Sequence, residues 1–395
     1  MMNLKLVAGG ALWRLLLTAF LIQFTVPVAR VATTYRVLSI NLPPETIGFL
    51  ASAFAALPVL VVVFFGRMTD RFGVRPGIWV GAVAVLIAVV LLWLLPPSLP
   101  GLLLGMSLLG LAQTLHYSGL QMVINVVAGR RHRDAALGNY LLAMSLGDAV
   151  APLLIGLSGS DNPGPIAQHL YWAAFVSAIV LCLAATSLCR AIPRERLGKS
   201  GRTTILGILK TKGMAPILIA GSLCATCQDL VATYLPVLGI ERAISPHLVG
   251  LLMTTVSLSS LASRATYGVL SKKFRRYDLT IGATLLAAIG IGVLAIPLPA
   301  FAYFVALPWV GFGLGTAGTA TIAIVIQTAP SGARGTAMAL RQMASRVGLF
   351  GMPFAAGAAA VVAGLPGIFV LIALSSMAAS GLAQRCLPRP DKTGC

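Results

Sequence analysis

The chain has 395 residues, 58% of them apolar and 10% charged, with a mean hydropathy of +0.92 and a formal charge of +19. A water-soluble domain of this size needs far more charge on its surface, so the composition excludes a soluble globular protein. A basic excess also marks nucleic-acid binders, but here the Lys and Arg residues fall in the gaps between apolar runs, which is the pattern of membrane topology and excludes a nucleic-acid partner.

Runs of about 20 apolar residues recur, each long enough to cross a bilayer core as a helix. They predict twelve spans, at 11–33, 46–65, 77–95, 100–127, 137–158, 169–189, 214–236, 246–271, 278–297, 300–327, 335–362 and 366–384. The first follows Lys5, and because more membrane follows it, it reads as an uncleaved helix rather than a leader. The gap 190–213 carries Arg190, Arg194, Arg196, Lys199, Arg202, Lys210 and Lys212 against Glu195 alone. It divides the chain into an amino-terminal six-helix bundle (1–189), a basic cytoplasmic linker (190–213) and a carboxy-terminal six-helix bundle with a short tail (214–395). With the amino terminus inside, most basic residues lie in inner loops and tails. Arg36 and Arg242 fall in outer loops, and Arg30, Arg264, Arg341 and Arg346 inside spans. The positive-inside rule therefore places both termini in the cytoplasm, at a bacterial-type inner membrane. The six cysteines show no disulfide framework, and the Cys224–Cys227 pair lies in an apolar run, where small buried residues are the plain reading.

The halves repeat each other. Pro44, Gly48, Gly66 and Met68 match Pro246, Gly250, Gly268 and Leu270 at an offset of 202. Arg133, Gly147, Pro152 and Gly156 match Arg334, Gly348, Pro353 and Gly357 at an offset of 201. Parallel six-helix repeats pack about an axis along the membrane normal, with a solute path between them.

The stretch Gly66–Pro76, GRMTDRFGVRP, is a charged loop between spans 2 and 3, with Arg67, Asp70, Arg71 and Arg75 in eleven residues. It resembles the signature loop of the major facilitator superfamily, G-x-L-x-D-R-x-G-R-R/K, with Met68 in the place of Leu and Val74 interrupting the basic pair. The resemblance covers essentially the whole chain. It implies an all-α membrane fold of twelve helices in two pseudo-symmetric bundles, and a conformational latch formed by Gly66, Asp70, Arg71 and Gly73. A carboxylate at the amino end of the facing helix, near Gly335, contributes about 0.3–1 kcal/mol when exposed and up to about 2 when partly buried, which suits a reversible contact. The second copy, Gly268–Arg276, has Lys272 in the place of Asp70, so the latch is expected to work from the first half only. In span 5, Gly147, Pro152 and Gly156 resemble the family's antiporter-associated motif G-x-x-x-G-P-x-x-G-G, with Ala151 in the place of the middle Gly. That motif implies a seal between the halves that favours exchange, and ordinary small-residue packing is the alternative.

Ionisable groups inside spans are costly and face a cavity or a partner. In this family spans 1, 4, 7 and 10 line the central path, with 2, 5, 8 and 11 beside them. The resemblance therefore makes Arg30, Gln113, His116, Gln228 and Asp229 cavity candidates for cargo and protons, flanked by Asp148 and Arg346. A plain lock, with Asp148 or Asp229 neutralising an arginine across the bundle, is the alternative, as is a satisfied buried role for His116. Two features depart from the drug-antiporter branch. Span 4 reads LAQTLHYSG where that branch carries an arginine, and span 1 has no acid. Four span arginines against two span acids lean the cavity toward an anionic or neutral cargo.

The expected function is secondary active transport by alternating access, as proton-coupled export of a small organic solute or drug. Proton-coupled uptake of a small organic anion is the first alternative, and a transporter-like sensor that carries nothing is a remote one. No HExxH, phosphate loop or nucleophile with a placed base points to an enzyme, and no cofactor or metal is expected. The expected partners are a small-molecule substrate, protons and the lipid bilayer, for a monomer.

Overall fold

The computed structural model of the protein describes residues 2–40, 42, 45–72, 74–96, 98–127, 129–158, 160, 162–192, 205–211, 213–329 and 334–385. Within these, the side chains of 2–9, 45, 61–72, 125–127, 129–135, 137, 205, 206, 334 and 335 are not described. In hydrocarbon every backbone N–H and C=O must be satisfied within its own segment, and the described apolar runs meet that demand as α-helices without a strand among them.

The helices, in order, are α1 (Met2–Ser39), α2 (Glu45–Phe72), α3 (Val74–Leu94), α4 (Leu99–Val127), α5 (Gly129–Val150), α6 (Leu153–Gly156), α7 (Pro163–Ala191), α8 (Ile205–Leu209), α9 (Met214–Glu241), α10 (Pro246–Lys273), α11 (Arg276–Leu294), α12 (Ala300–Thr328) and α13 (Arg334–Arg385). The fifth crossing is α5 and α6 together, interrupted where Pro152 has no N–H to give. The apolar part of α13 runs 50 residues, Thr336–Arg385. At 1.5 Å per residue a straight helix of that length would be about 75 Å long, more than twice a ~30 Å bilayer core. It is two crossings joined at Ala363 and Gly364, where Gly364 takes φ 61° and ψ −158°, open only to glycine. The described chain thus crosses twelve times. Two boundaries differ from expectation. The charged stretch 66–76 is mostly helical, since α2 runs on to Phe72 and α3 starts at Val74. Arg, Met and Asp at its centre are compatible with helix, so polarity alone did not mark a loop. The linker region 190–213 likewise contains α8.

The neighbours repeat as the sequence does. In the first six crossings α1 packs on α4, α5 and α7, α4 on α2 and α3, and α3 on α7. In the second six, α9 packs on α12 and on both parts of α13, α12 on α10 and α11, and α11 on α13. Each pairing in one set has its counterpart six crossings later. The sets meet along α2 against α13, and α5 and α6 against α10, with α1 beside α9.

The repeat-matched glycines and prolines account for these meetings. A Cβ on Gly48 would come within 3.0 Å of the Pro353 carbonyl oxygen, and one on Gly250 within 2.9 Å of the Pro152 carbonyl oxygen. Both contacts join the halves near the end of the molecule where α1 meets α2 and α9 meets α10. Phe49 against Phe354, ring centres 5.9 Å apart, and Gly156 against His247 add contacts between the halves at the same end. Gly147 and Gly348 act within the halves instead. A Cβ on Gly147 would lie 2.6 Å from the Phe20 carbonyl oxygen, and one on Gly348 2.5 Å from Thr226 Oγ1. At the same end Arg36 donates to the carbonyls of Leu92, Trp93 and Leu95, covering the final turn of α3.

A wedge at this contact costs about 1–3 kcal/mol of overpacking. Gly250→Val is therefore expected to raise, about tenfold, the labelling rate of a cysteine placed at Leu235 by a membrane-impermeant maleimide added from that side. Gly357→Val, where a Cβ meets nothing within 4 Å, is the control. Equal labelling in the two variants would show that the glycine contact does not close this end.

Candidate functional site

Between the two sets of helices lies a cavity of about 360 Å³. That is near the lower end of the ~300–1,000 Å³ usual for small-molecule sites. Its walls come from α1, α2, α4 and α5 on one side and α9, α10, α12 and α13 on the other. Six charged side chains reach it: Arg30, Asp148, Asp229, Arg264, Arg341 and Arg346.

Arg30 on α1 and Asp229 on α9 form a two-pronged ion pair between the halves. Each terminal nitrogen of Arg30 donates to a different oxygen of Asp229, one of them at 2.6 Å, and Nη2 also donates to Thr233 Oγ1 at 3.1 Å. The side chains keep 16% and 21% of their surface exposed, so the pair forms part of the cavity wall. This fork-on-fork geometry is among the strongest a carboxylate makes. Asp148 on α5 is held by a neutral donor, Gln23 Nε2, at 2.9 Å, with Arg264, Asp229 and Arg30 within electrostatic range. Arg264 on α10 donates to Ser145 Oγ on α5. Arg346 on α13 donates to Gln113 Oε1 on α4 at 3.0 Å. Its guanidinium carbon stands 5.5 Å from the centre of the Phe54 ring, and that of Arg30 stands 4.5 Å from the same ring. Both distances lie within reach of a cation–π attraction.

Of the residues singled out in the sequence, Arg30, Gln113, Asp148, Pro152, Gln228, Asp229 and Arg346 line this one cavity. His116 is set apart. It is fully buried, its Nδ1 lies 2.8 Å from the Ile78 carbonyl oxygen, and Gly81 leaves room for it on α3. The spacing from Gln113 to Tyr117 is four residues and both face the cavity, whereas residue 116 turns about 100° away from 117 and meets α3 instead. Gly147 and Gly156 serve helix contacts and not the wall. Gly66, Asp70 and Arg71 belong to the last turns of α2, where side chains are not described, Gly73 lies outside the described residues, and Gly335, the expected partner, lies in the first turn of α13, where side chains are likewise not described. Phe54, Thr233 and Ser145 are members of the site that pattern reading did not mark. Phe54 sits in an unbroken apolar run, and no signal there separates a ring under two guanidiniums from one facing lipid. Cys224 and Cys227 are buried free thiols, and Cys227 donates to the Ile372 carbonyl.

Twelve crossings in two matched sets around a charged midplane cavity invite comparison with known proteins. The family model of the Major Facilitator Superfamily matches residues 15–243 and again 217–394. The chain belongs to this family. The chromaffin granule amine transporter of Rattus norvegicus is 25% identical over 339 residues, covering 82% of this chain and 63% of that protein. The Homo sapiens protein of the same name is 26% identical over 279 residues, covering 68% of this chain and 50% of that one. The chain thus matches between half and two thirds of these relatives' length. A mutant of the nucleoside transporter NupG superposes with a TM-score of 0.76 at 14% identity, over 96% of this chain and 100% of that one. A D-xylose-proton symporter gives 0.76 at 16% identity, over 95% and 98%. These solved structures share the fold. The protein is a multi-pass membrane protein of the superfamily.

Removing one partner of the Arg30–Asp229 pair leaves the other charge facing a low-dielectric cavity. Asp229→Asn is therefore expected to lower the thermal midpoint in detergent, and adding Arg30→Gln to recover part of the loss. The coupling energy should be about 1–3 kcal/mol, allowing for the pair's partial exposure. Additive effects of the two changes would show that the pair contributes no net coupling.

Proposed function

We propose that this transporter is a proton-coupled secondary carrier of a small organic anion, working by rocking of an amino-terminal unit (1–189) against a carboxy-terminal unit (214–395). The observation that carries the reading is the charge of the cavity. Four arginines face two aspartates, and Asp229 is already engaged by Arg30. In a low-dielectric site that excess favours an anion and opposes a cation. The relatives named for amine transport therefore do not set the cargo here, since function follows the site rather than the fold. Asp148, held only by a neutral amide and facing the cavity, is our candidate for the proton-carrying carboxylate. On the positive-inside reading both termini are cytoplasmic, and the end closed by Gly48 and Gly250 faces outward.

Export of a small solute against protons is the second reading. It is favoured by one observation: the Pro152 carbonyl, in the stretch that resembles the antiporter-associated motif, packs on Gly250 of the opposite half. Proteoliposomes with an imposed pH gradient separate the readings. Labelled organic anions are expected to accumulate on the alkaline side, moving with protons, and Asp148→Asn to reduce that gradient-driven accumulation at least tenfold while leaving anion counterflow in place. Movement of anions only against the proton flow would establish exchange, and transport of amines in preference to anions would remove the anion reading.

The latch on α2 belongs to the same proposal. Asp70→Asn is expected to cut transport severalfold while insertion and folding persist. Full transport by that variant, with normal membrane levels, would remove the latch.

A further inference from the structure

Phe54 organises an uneven set of charges. Arg30 and Arg346 stand over its ring and Asp229 is bonded to Arg30, with Asp229 and Arg30 both within electrostatic range of Arg346. The two arginines are not equivalent. Arg30 has both terminal nitrogens filled by the Asp229 carboxylate, and one of them also by Thr233. Arg346 has, among the described residues, a single hydrogen bond, and its acceptor is the neutral amide oxygen of Gln113. Two positive charges and one negative charge leave the set one negative charge short.

We infer that Arg346 is the seat of the cargo's carboxylate, and that one monoanion completes a neutral set with Arg30 and Asp229 around Phe54. The inference rests on the anion reading above and narrows it to monocarboxylates. A guanidinium accepts a carboxylate in two parallel hydrogen bonds. Gln113 occupies only one donor of Arg346, through an uncharged oxygen, and hydrogen bonds to a charged acceptor are about twice as strong. The incoming carboxylate therefore takes the place of the Gln113 amide. Gln113 is on α4 and Arg346 on α13, so this exchange also releases a tie between the halves. The rest of the cargo meets an apolar surface made by Ile47, Leu50, Met106, Val256 and Leu349. In a cavity of about 360 Å³ that sets a small aliphatic or aromatic body. A dianion would overshoot the missing charge. Of the remaining arginines, Arg264 acts on Asp148, a carboxylate that also lies within electrostatic range of Arg30 and Asp229 but is not among the charges acting on Arg346, and Arg341 lies five residues, about 7.5 Å of helix, from Arg346.

The test is ligand-induced thermal stabilisation of the full-length protein purified in detergent, with butyrate, benzoate, succinate and tyramine as probes. Butyrate or benzoate is expected to raise the midpoint saturably, succinate to do so at least tenfold more weakly, and tyramine to have no effect. Arg346→Gln is expected to weaken monoanion binding at least tenfold. Arg346→Lys, which keeps the charge and loses the fork, should fall between. Gln113→Ala, which removes the competing amide, should bind the monoanion as tightly as the natural chain or more so, and it serves as the second readout should Arg346→Gln fail to fold. Monoanion binding that is unchanged in Arg346→Gln, or lost in Gln113→Ala, overturns the seat while leaving the anion reading intact. Stronger stabilisation by succinate, or none by either monoanion, overturns the one-charge match. Stabilisation by tyramine in place of the anions overturns the inference together with the reading beneath it.

Discussion

Hydrocarbon does not tolerate a lone charge, and that constraint shapes the centre of this molecule. Six charged side chains of the crossing helices line one shared cavity. The Arg30–Asp229 pair shows why the site needs both halves, because one partner comes from α1 and the other from α9. Each half alone would leave its member of the pair without its hydrogen-bonded counter-charge at membrane depth, which is costly. Packing the halves together converts that cost into a strong contact. The charges left over after this pairing, chiefly on Arg346, Arg264 and Arg341, then give the cavity its electrostatic character.

Small residues supply the other half of the design. Without a hydrophobic drive between helices in lipid, close backbone approach becomes a main source of attraction. Gly48 under Pro353 and Gly250 under Pro152 are one contact made twice, once at each seam. This explains why the sequence repeat is written in glycine and proline: those positions are constrained by geometry, whereas a lipid-facing Leu or Val has many substitutes. The symmetry is not complete. Gly156 is needed because His247 packs on it, while its counterpart Gly357 has open space where a side chain would go. The two seams are thus built from the same parts and loaded differently, and the seam through α5, α6 and α10 is the tighter one at that position.

The fold was legible almost entirely, for physical reasons. Twenty-residue apolar runs have one stable form in a bilayer, and the repeat divided them into two matched sets of six. The polar members of the site were also legible, since a charge inside a span is too costly to be accidental. What escaped was orientation about a helix axis and anything without a cost signature. His116 and Gln113 are three residues apart on α4, yet one is turned into α3 and the other into the cavity. Phe54 is central to the site and looks, in sequence, like any other apolar residue of α2. The extension of α2 through Met68 and Asp70 escaped for a different reason. Charge was read as a loop signal, although Arg and Met form helix readily, a single Asp costs less than about 1 kcal/mol, and the helix projects past the apolar core.

The closing contact and the solute site share atoms, and this links them energetically. Arg30 is at once a cavity residue and one side of the contact between α1 and α9. The coupling expected of the Arg30–Asp229 pair, about 1–3 kcal/mol, is of the same order as the cost of disrupting the glycine contacts at the closed end. A charged solute that enters this cavity therefore stands beside a tie between the halves as strong as those contacts, without any longer pathway through the protein. An anion near Arg30 competes with Asp229, whereas an anion drawn to Arg346 leaves the Arg30–Asp229 tie in place and displaces the Gln113–Arg346 tie instead. The position of the second arginine, on the same half as Asp229 and over the same ring as Arg30, thus determines which tie between the halves a bound solute loosens.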